Sequence, residues 1–394
     1  MTEITQDVAT DDDFAESVVP PAAPPPGQRA VAIVKQIRPW HKPRKQLVRR
    51  SWTHHIRDLM RRLHFPKGAI PTFRYLTLAG PDMLDIRQLE DATVKSGYKL
   101  KYTGFSPKGS KDEAEILLAQ NQIRSYEWID RNSETLWHRL EDIAAGERST
   151  ALRAVERHGP YHAINFDLCQ NITLQRGGAP TIIDALIKVF RIQCRHNSEP
   201  WLLFITTKIE QGNTPDEHVA NFLKAVNSNI AASAEFQEEF NKLCEAHEVD
   251  QEIALENPKN LPLDAFVRFF CLGFTKWLIG NLCTARPAIA LEMQSSQIYS
   301  VEQGSKDMLS LVYKCSPQVR TAFDQGPEIN HEEVEIAAGI TAAQKTTSLI
   351  DIDLKVANDA NLLNDLTQET HNLLRSANYS QELISQVTDN AHAQ

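Results

Sequence analysis

Between residues 70 and 210, short apolar runs alternate with amphipathic stretches, and this alternation constrains the fold more than any other feature. Each apolar run is long enough for a buried strand, whereas the stretches between them carry apolar residues at helical spacing. Strands separated by helices form βαβ units, in which the strands pair in parallel. The predicted strands are residues 73–80, 98–106, 125–132, 161–168 and 201–210. The sequence therefore predicts an α/β fold built on a parallel sheet.

The end of this region follows a different pattern. Residues 264–282 are strongly apolar over the length of a helix, and residues 287–301 and 307–315 are two strand-like runs. A short polar segment with Gly304 joins the two runs, which is typical of a β-hairpin. We therefore expect an antiparallel hairpin at the edge of a mostly parallel sheet.

The chain has 394 residues, which is too many for one ordinary core, so we expect several parts. Residues 1–29 are acidic and then rich in Pro, and we expect disorder because they cannot bury enough apolar area. The remaining predicted parts are a basic lead-in at 30–69 with a helix over 51–65, the α/β domain at 70–318 with a helical insertion at 213–262, and a helical C-terminal extension at 319–394.

No strand is predicted after residue 325. Apolar residues recur there at spacings of three, four or seven, which predicts a helix with one apolar stripe. The stripe consists of Ile352, Val356, Leu363, Leu366, Leu373 and Ala377. It either packs on its own domain or binds a protein partner, and the sequence leaves both alternatives open.

Cysteine usage and hydropathy exclude several classes of protein. The six cysteines form no CxxC pair and no zinc-like spacing with histidine, so neither a metal site nor a disulfide is predicted. No uninterrupted apolar run reaches the length of about 18 residues that indicates a transmembrane helix. The acidic start of the chain lacks the apolar segment of a secretory signal. These features predict a cytoplasmic protein without a membrane partner.

Charge is distributed unevenly along the chain. The formal net charge is −9, but residues 35–62 are strongly basic and include Trp40 and Trp52. A basic helix with interleaved aromatic side chains can follow phosphates and stack on bases. The candidate nucleic-acid contacts are Lys42, Arg44, Lys45, Arg49, Arg50, Arg57 and Arg61. The alternatives are a solvated helix face and a surface that binds the acidic N-terminal tail.

Two predicted strands end in residues that suit a ligand site. The first ends in Ala79-Gly80, where the missing Cβ of Gly80 allows a ligand to approach the backbone. The following helix would direct its N-terminal dipole at a carboxylate. The fourth strand ends in Asn165-Phe166-Asp167, and Asp167 could orient an amino group or act as a weak base. The alternatives are an ordinary strand-to-helix turn and a solvated loop carboxylate.

The segments LTLAGPDMLDI (76–86), HAINFDLCQNI (162–172) and PWLLFITTKIEQG (200–212) carry a resemblance to a known family. Together with the order of the elements, they resemble class I S-adenosylmethionine-dependent methyltransferases, a Rossmann-like fold. The most similar members are the tRNA guanine-dimethylating enzymes and the three-cysteine-motif partner proteins. The segment PRKQLVR (43–49) is similar to a lead-in found in methyltransferase-like proteins among mobile-element and phage-defence genes.

The resemblance implies which residues would hold S-adenosylmethionine and the methyl acceptor. The implied cofactor-binding residues are Ala79, Gly80, Pro81, Asp85, Phe105, Ser106 and Asp130, and the implied catalytic residues are Asn165 and Asp167. The sequence departs from the family pattern in two places. It lacks the GxGxxG spacing, and its second strand ends without the acidic residue that binds the ribose hydroxyls.

Two functions follow from these features. One is a methyltransferase that acts on nucleic acid, in a phage-defence or modification system. The other is a catalytically inactive Rossmann-like scaffold subunit of a nucleic-acid-associated defence complex. A methyltransferase for a small molecule or a protein agrees less well with the basic segment. An open slot over Gly80 and Ser106, rimmed by Asp130 and Asp167, would favour the enzyme, and a slot filled by Met83, Phe105 or Trp128 would favour the scaffold.

Overall fold

The structure is a computed structural model that describes residues 35–65, 70–175, 177–301, 306–318 and 330–392, with side chains to Val387. The described residues belong to one compact unit that begins at Lys35. The predicted disordered tail, residues 1–29, lies outside the described residues.

One mixed sheet of eight strands forms the centre of this unit. The strands are β1 (Thr72–Leu78), β2 (Lys99–Phe105), β3 (Glu134–Leu136), β4 (Ala163–Asp167), β5 (Trp201–Lys208), β6 (Ile289–Tyr299), β7 (Met308–Pro317) and β8 (Ile350–Asp351). Their spatial order is β3-β2-β1-β4-β5-β7-β6-β8. The first five are parallel, β7 is antiparallel to both β5 and β6, and β8 is parallel to β6. The predicted α/β class, the mostly parallel sheet and the hairpin are thus confirmed.

Helices cover both faces of the sheet. They are α1 (Pro43–Met60), α2 (Leu84–Gln88), α3 (Glu90–Lys95), α4 (Glu113–Arg124), α5 (Thr150–His158), α6 (Ile182–His196), α7 (Asp216–Ala232), α8 (Ala234–Ala246), α9 (Gln251–Glu256), α10 (Leu263–Cys283), α11 (His331–Thr347), α12 (Ile352–Ala357), α13 (Ala360–Ser376) and α14 (Gln381–His392). Short 3₁₀ turns lie at Pro39–His41, Leu140–Ala144 and Pro258–Asn260.

The two faces of the sheet bury separate cores. On the α1 face, α1, α2, α4, α12 and α13 pack on alternate side chains of the strands. On the α10 face, α5 to α8, α10 and α11 pack on the other set. Of the helices that the structure describes, α10 alone has the length and composition to cross a membrane, and it is mostly buried inside the protein. That position is typical of the core helix of a soluble α/β protein.

The third strand differs from its prediction. Residues 125–132 form turns in which Ile129 makes a single bridge to Leu100, and β3 lies within the segment expected to be a helix. The apolar side chains of Trp128 and Ile129 do enter the core of the α1 face. Consecutive turns bring them there, with hydrogen bonds from Tyr126 N to Ile123 O and from Ile129 N to Tyr126 O. An apolar run therefore predicted burial correctly but strand geometry wrongly.

Two further predictions need correction. The lead-in helix begins at Pro43, well before residue 51, because a proline at the first helical position needs no hydrogen-bond acceptor for its nitrogen. The C-terminal region does contain a strand, the two-residue β8. The apolar stripe of this region is divided between α12 and α13, and Ile352, Val356 and Leu366 pack on the chain's own α1-face core.

Candidate functional site

The order of the strands reverses between β1 and β4. From β1 the chain proceeds outward to β2 and β3, and it then returns to β4 on the other side of β1. Open α/β sheets bind ligands in the crevice outside the carboxyl ends of the strands at such a switch point. Here the crevice lies beyond Leu78 of β1 and Asp167 of β4.

A tight turn follows β1. Ala79 N donates to Phe105 O at 2.9 Å, and Met83 N donates to Gly80 O at 3.1 Å. A Cβ at Gly80 would meet nothing within 4 Å, so the predicted freedom of approach at Gly80 exists. Met83 is fully buried with a positive φ of 49° and precedes α2. Because α2 is only one turn long, its dipole provides little attraction for an anion.

The carboxylate of Asp82 is already satisfied by the protein itself. It accepts hydrogen bonds from Lys35 Nζ at 2.6 Å, Tyr379 Oη at 2.9 Å and His41 Nε2 at 3.2 Å. His41 Nδ1 accepts from the backbone N–H of Arg38, so Nε2 carries the ring proton. Burial alone would raise the pKa of Asp82, but the His41 and Lys35 hydrogen bonds hold this pKa well below its usual range. Asp82 is therefore a buried anion that holds the N-terminal segment against the turn.

A second ion pair lies at the end of β4. Lys45 Nζ contacts Asp167 Oδ1 at 2.5 Å and Tyr299 Oη at 3.2 Å, and it lies 4.8 Å from the centre of the Trp52 ring. Lys45 is only 5% exposed, whereas the Asp167 side chain is 29% exposed. Burial lowers the pKa of Lys45, but the negative charge of Asp167 and its hydrogen bond to Lys45, with a contribution from Tyr299, outweigh this effect and raise the pKa. Lys45 therefore stays charged and paired with the predicted catalytic carboxylate.

A hydrogen-bonded chain of side chains lies beneath this ion pair. Asn165 Nδ2 donates to Tyr75 Oη at 2.8 Å, and Tyr75 Oη donates to Asp85 Oδ2 at 3.2 Å. Thr77 Oγ1 also donates to Asp85 Oδ2, at 2.5 Å. Burial raises the pKa of Asp85, and the neighbouring Asp167 charge adds to that rise. Asn165 is fully buried, and its Oδ1 has no hydrogen-bond partner among the described residues.

Arg49 links the two halves of the crevice. It is 4% exposed, and its Nη2 donates to the backbone carbonyl of Trp40 at 2.9 Å. Burial lowers the pKa of Arg49, and the electrostatic attraction of Asp167, Asp85 and Asp82 opposes this effect. Its Nη1 has no hydrogen-bond partner among the described residues. Arg49 thus contributes a central positive charge among three carboxylates.

The structure brings together only part of the predicted cofactor set. Gly80, Pro81 and Asp85 lie near Asn165 and Asp167 at the switch point, and Ala79 precedes them at the end of β1. Phe105 packs into the α10-face core. Ser106 is 3% exposed, and its backbone N–H donates to Leu136 O.

Asp130 lies at the opposite end of the sheet. Its backbone N–H donates to Leu100 O, near the amino end of β2, and its carboxylate caps the N–H of Asn132. The prediction that Asp130 and Asp167 share one rim is therefore wrong, because it depended on a third strand over residues 125–132.

The predicted nucleic-acid contacts are engaged within the chain. Lys45 and Arg49 are buried, and Lys42 Nζ donates to Val301 O at 3.4 Å. The other pairs are Arg44–Asp353 at 3.1 Å, Arg50–Glu369 at 2.6 Å, Arg57–Asp91 at 3.2 Å and Arg61–Asp58 at 3.0 Å. Only Lys45 and Arg49 are thus removed from the surface, since Arg50, Arg57 and Arg61 keep more than a third of their side chains exposed in these pairs.

The residues of the crevice do not fit S-adenosylmethionine in this conformation. No carboxylate follows β2 to accept the ribose hydroxyls, and Asp82 in the cofactor turn is already bound by three groups. For metals, the described residues contain no group of three or more His, Cys, Asp or Glu side chains that could hold an ion.

A separate cavity of about 370 Å³ lies at the amino end of β2. It is lined by Arg57, Met60, Arg61, Lys95, Ser96 and Tyr98. Lys95 and Arg57 both pair with Asp91 there. This cavity is remote from the switch point, because Tyr98 precedes the first residue of β2.

Sequence reasoning missed His41, Asp82, Tyr299 and Tyr379. Tyr299 and Tyr379 lie far along the chain, and no local pattern connects them to the first strand. The burial of Lys45 and Arg49 did have a signal. Together with Val48, Trp52 and Ile56 they recur at spacings of three and four, which places all five on one face of α1.

Fold and site together define an α/β protein with an open mixed sheet whose switch-point crevice is filled by its own N-terminal segment. The sequence model of the PP_RS20740-like family matches residues 34–388. The chain therefore belongs to the PP_RS20740-like family. No curated protein matches the chain.

Proposed function

We propose that this chain is a methyltransferase-like α/β scaffold that does not catalyse methyl transfer in the conformation described here. Two features support kinship with methyltransferases: the reversal of strand order at β1 and the antiparallel β7 beside β5. Both agree with the alternating units and closing hairpin that the resemblance implies. The assignment of this α/β sheet to the Rossmann-like fold is part of the proposal.

The observation that carries the proposal is the filling of the crevice by residues 35–49. Lys35 and His41 bind Asp82, and Lys45 binds Asp167. Of these five side chains, all except that of Asp167 are largely buried. A ligand would have to remove these groups and leave two carboxylates without partners. Breaking a buried ion pair in this way costs about 3–5 kcal/mol. Tight cofactor binding would have to overcome that cost.

Isothermal titration and thermal unfolding with S-adenosylmethionine test the proposal. We expect no heat and no rise in the unfolding temperature at about 1 mM cofactor, whereas a ligand at one hundred times its Kd stabilises a protein by about 2.7 kcal/mol. Micromolar binding that Gly80→Trp abolishes would overturn the proposal. Gly280→Trp in α10 is the matched control, because a Cβ at Gly280 also meets nothing within 4 Å.

A second candidate is an S-adenosylmethionine-dependent methyltransferase that acts on nucleic acid. The open space over Gly80 and the partial exposure of Asp167 favour it. In that case residues 35–42 act as a lid that must leave before the cofactor enters. Transfer of a labelled methyl group to duplex or single-stranded nucleic acid by the intact chain would establish this candidate, and loss of transfer in Gly80→Trp would locate the site.

The cellular setting is part of the same proposal. We place the protein in the cytoplasm, in a nucleic-acid-associated defence complex, as the similarity of its lead-in segment suggests. The C-terminal helices would contact a protein partner only through their outer faces, because Leu366, Leu373 and Leu374 are buried in the chain itself. Co-purification of the tagged chain with and without nuclease treatment would identify such a complex.

A further inference from the structure

A basic surface lies on the outer side of α5 and α6, away from the crevice. We call it the α5–α6 surface. Its cations are Arg148, Arg153, Lys188, Arg191 and Arg195. The three cations on α6 are spaced by three and four residues, so they lie on one side of that helix. The opposite side of α6, including Leu186, Val189 and Phe190, is buried in the α10-face core. The arginines of this surface are exposed to solvent.

Glu147 shows that these cations converge. Lys188 Nζ donates a hydrogen bond to the Glu147 carboxylate. This hydrogen bond, together with the charges of Lys188, Arg191 and Arg195, lowers the pKa of Glu147. Arg148 follows Glu147 directly in the chain, and α5 packs against α6. Arg148 and the three cations of α6, which are distant in sequence, therefore lie together around Glu147.

Most of the positive charge on this surface is not neutralised. Lys188 has an ion pair with Glu147, but Arg148, Arg153, Arg191 and Arg195 have no ion pair within 4 Å in the part of the chain that the structure describes. The basic segment 35–62 differs in this respect, since its candidate contacts are engaged by carboxylates and carbonyls of the chain. On a protein with a net charge of −9, a concentrated positive patch favours binding of an anionic partner.

The chemistry of the patch favours phosphate groups. Guanidinium groups bind phosphate in a bidentate manner, and four of the five cations are arginines. Arg191 and Arg195 are separated by a helical rise of about 6 Å. Two side chains this close can contact neighbouring phosphates of one strand, which follow each other at an axial rise of about 3.4 Å. The one aromatic residue within α5 and α6, Phe190, is buried, so the surface offers no platform for stacking unpaired bases.

We propose that the α5–α6 surface binds the phosphate backbone of duplex nucleic acid without reading its sequence. The proposal does not depend on whether the crevice binds S-adenosylmethionine, because no residue of the surface lies at the switch point. It assigns the contact to a different part of the molecule from residues 35–62.

Fluorescence anisotropy with a labelled duplex of about 20 base pairs, at several salt concentrations, tests the proposal in the intact chain. We expect the double variant Arg191→Glu/Arg195→Glu to lose at least about tenfold in affinity. The slope of log K against log salt should fall by about 1.8, because about 0.9 is lost for each phosphate contact. The control is Arg57→Glu/Arg61→Glu, which makes the same change in net charge on α1 and should leave affinity within about twofold.

Three outcomes would overturn the proposal. They are no binding of the duplex by the unaltered chain at low salt, an equal loss in the α1 variant, and tighter binding of polyglutamate than of the duplex. Urea unfolding of both variants checks that they fold, and the milder Arg191→Gln/Arg195→Gln pair replaces the first variant if it does not. Titration of the same variants with S-adenosylmethionine should give the same heat as titration of the unaltered chain. The experiments therefore distinguish a failure of the duplex-binding proposal from a failure of the proposed function.

Discussion

Lys45 shows how the environment of one residue decides its role. In the sequence it belongs to a basic run, and its charge predicted contact with a nucleic acid. In the structure it is held over Trp52 and between Asp167 and Tyr299. A buried lysine needs such a partner, since an unpaired charge in a protein interior is very costly. The charge that predicted a partner outside the chain is satisfied inside it.

Lys45→Met should therefore lower the free energy of unfolding by about 2 kcal/mol, below the range for a fully buried pair because Asp167 is partly exposed. Urea unfolding measures the loss. Arg61→Met is the control: its partner Asp58 is exposed, so the loss should stay under about 0.5 kcal/mol. Replacing Asp167 by Leu in the Lys45→Met chain should recover part of the loss. Equal losses in the two single variants would contradict the assignment of a buried pair.

His162 predicts a dependence of stability on pH. Its Nδ1 accepts a hydrogen bond from Arg74 N at 2.8 Å, and burial lowers its pKa to about 3. In the unfolded chain the pKa of His162 is near 6.5. Between pH 6.5 and pH 3, its imidazole is therefore protonated in the unfolded chain and neutral in the folded chain. The contribution of His162 to stability is therefore complete above pH 6.5 and decreases by about 1.4 kcal/mol per pH unit below it.

Urea unfolding at pH 7, 6 and 5 would show this dependence, with the pH values chosen around the ordinary histidine pKa of about 6.5. His162→Asn keeps an acceptor near the Arg74 N–H but cannot be protonated. We expect its free energy of unfolding to vary less with pH below 6.5 than that of the unaltered chain. Parallel curves for the two proteins would show that His162 does not cause the dependence.

At the scale of an element, α10 shows how close packing constrains the sequence. Its Phe270 and Phe274 lie against Phe222 of α7 at ring-centre distances of 5.3 Å and 5.9 Å. This approach requires a glycine, because a Cβ at Gly273 would lie 2.6 Å from the Cβ of Phe222. The apolar sequence of α10 predicted a buried helix, but only the packing shows which glycine is essential.

Gly273→Ala should destabilise the protein by about 1–3 kcal/mol, the usual cost of overpacking a core. Gly280→Ala in the same helix should stabilise it by up to about 1 kcal/mol, because alanine favours the helix and a Cβ at Gly280 has open space. The midpoints of urea unfolding measure both effects. A similar shift in both variants would mean that α7 and α10 are not in such close contact.

At the scale of the whole molecule, the N-terminal segment connects parts that are far apart in the chain. Lys35 and His41 reach Asp82 after β1, and Tyr379 from the C-terminal helices joins the same carboxylate. Arg38 pairs with Asp112 and Glu115 at the start of α4. Residues 35–42 thus hold the first βα units and the C-terminal region together over the crevice.

A chain that lacks residues 1–42 should consequently be less stable than one that lacks residues 1–34. We expect a difference of about 3 kcal/mol in the free energy of unfolding, the cost of leaving a buried carboxylate without its cations. Comparing the two deletions isolates residues 35–42 from everything that precedes them. If the shorter chain unfolds at the same urea concentration as the longer one, these contacts do not hold the crevice closed.

The sequence by itself determined the α/β class, the parallel sheet with its hairpin, and the approximate ends of β1, β2, β4 and β5, because period and length of apolar runs are local properties. It also placed Gly80, Asn165 and Asp167 at the ends of two predicted strands, whereas Asp85 came only from the resemblance; these strand ends lie side by side because β1 and β4 pair in parallel. Only the tertiary structure decided which partners these residues have. The Lys35–Asp82, Lys45–Asp167 and Tyr379–Asp82 contacts join residues that are distant in the chain. Asp130 was misplaced because residues 125–132 form turns that end beside the amino end of β2, which their apolar run does not reveal.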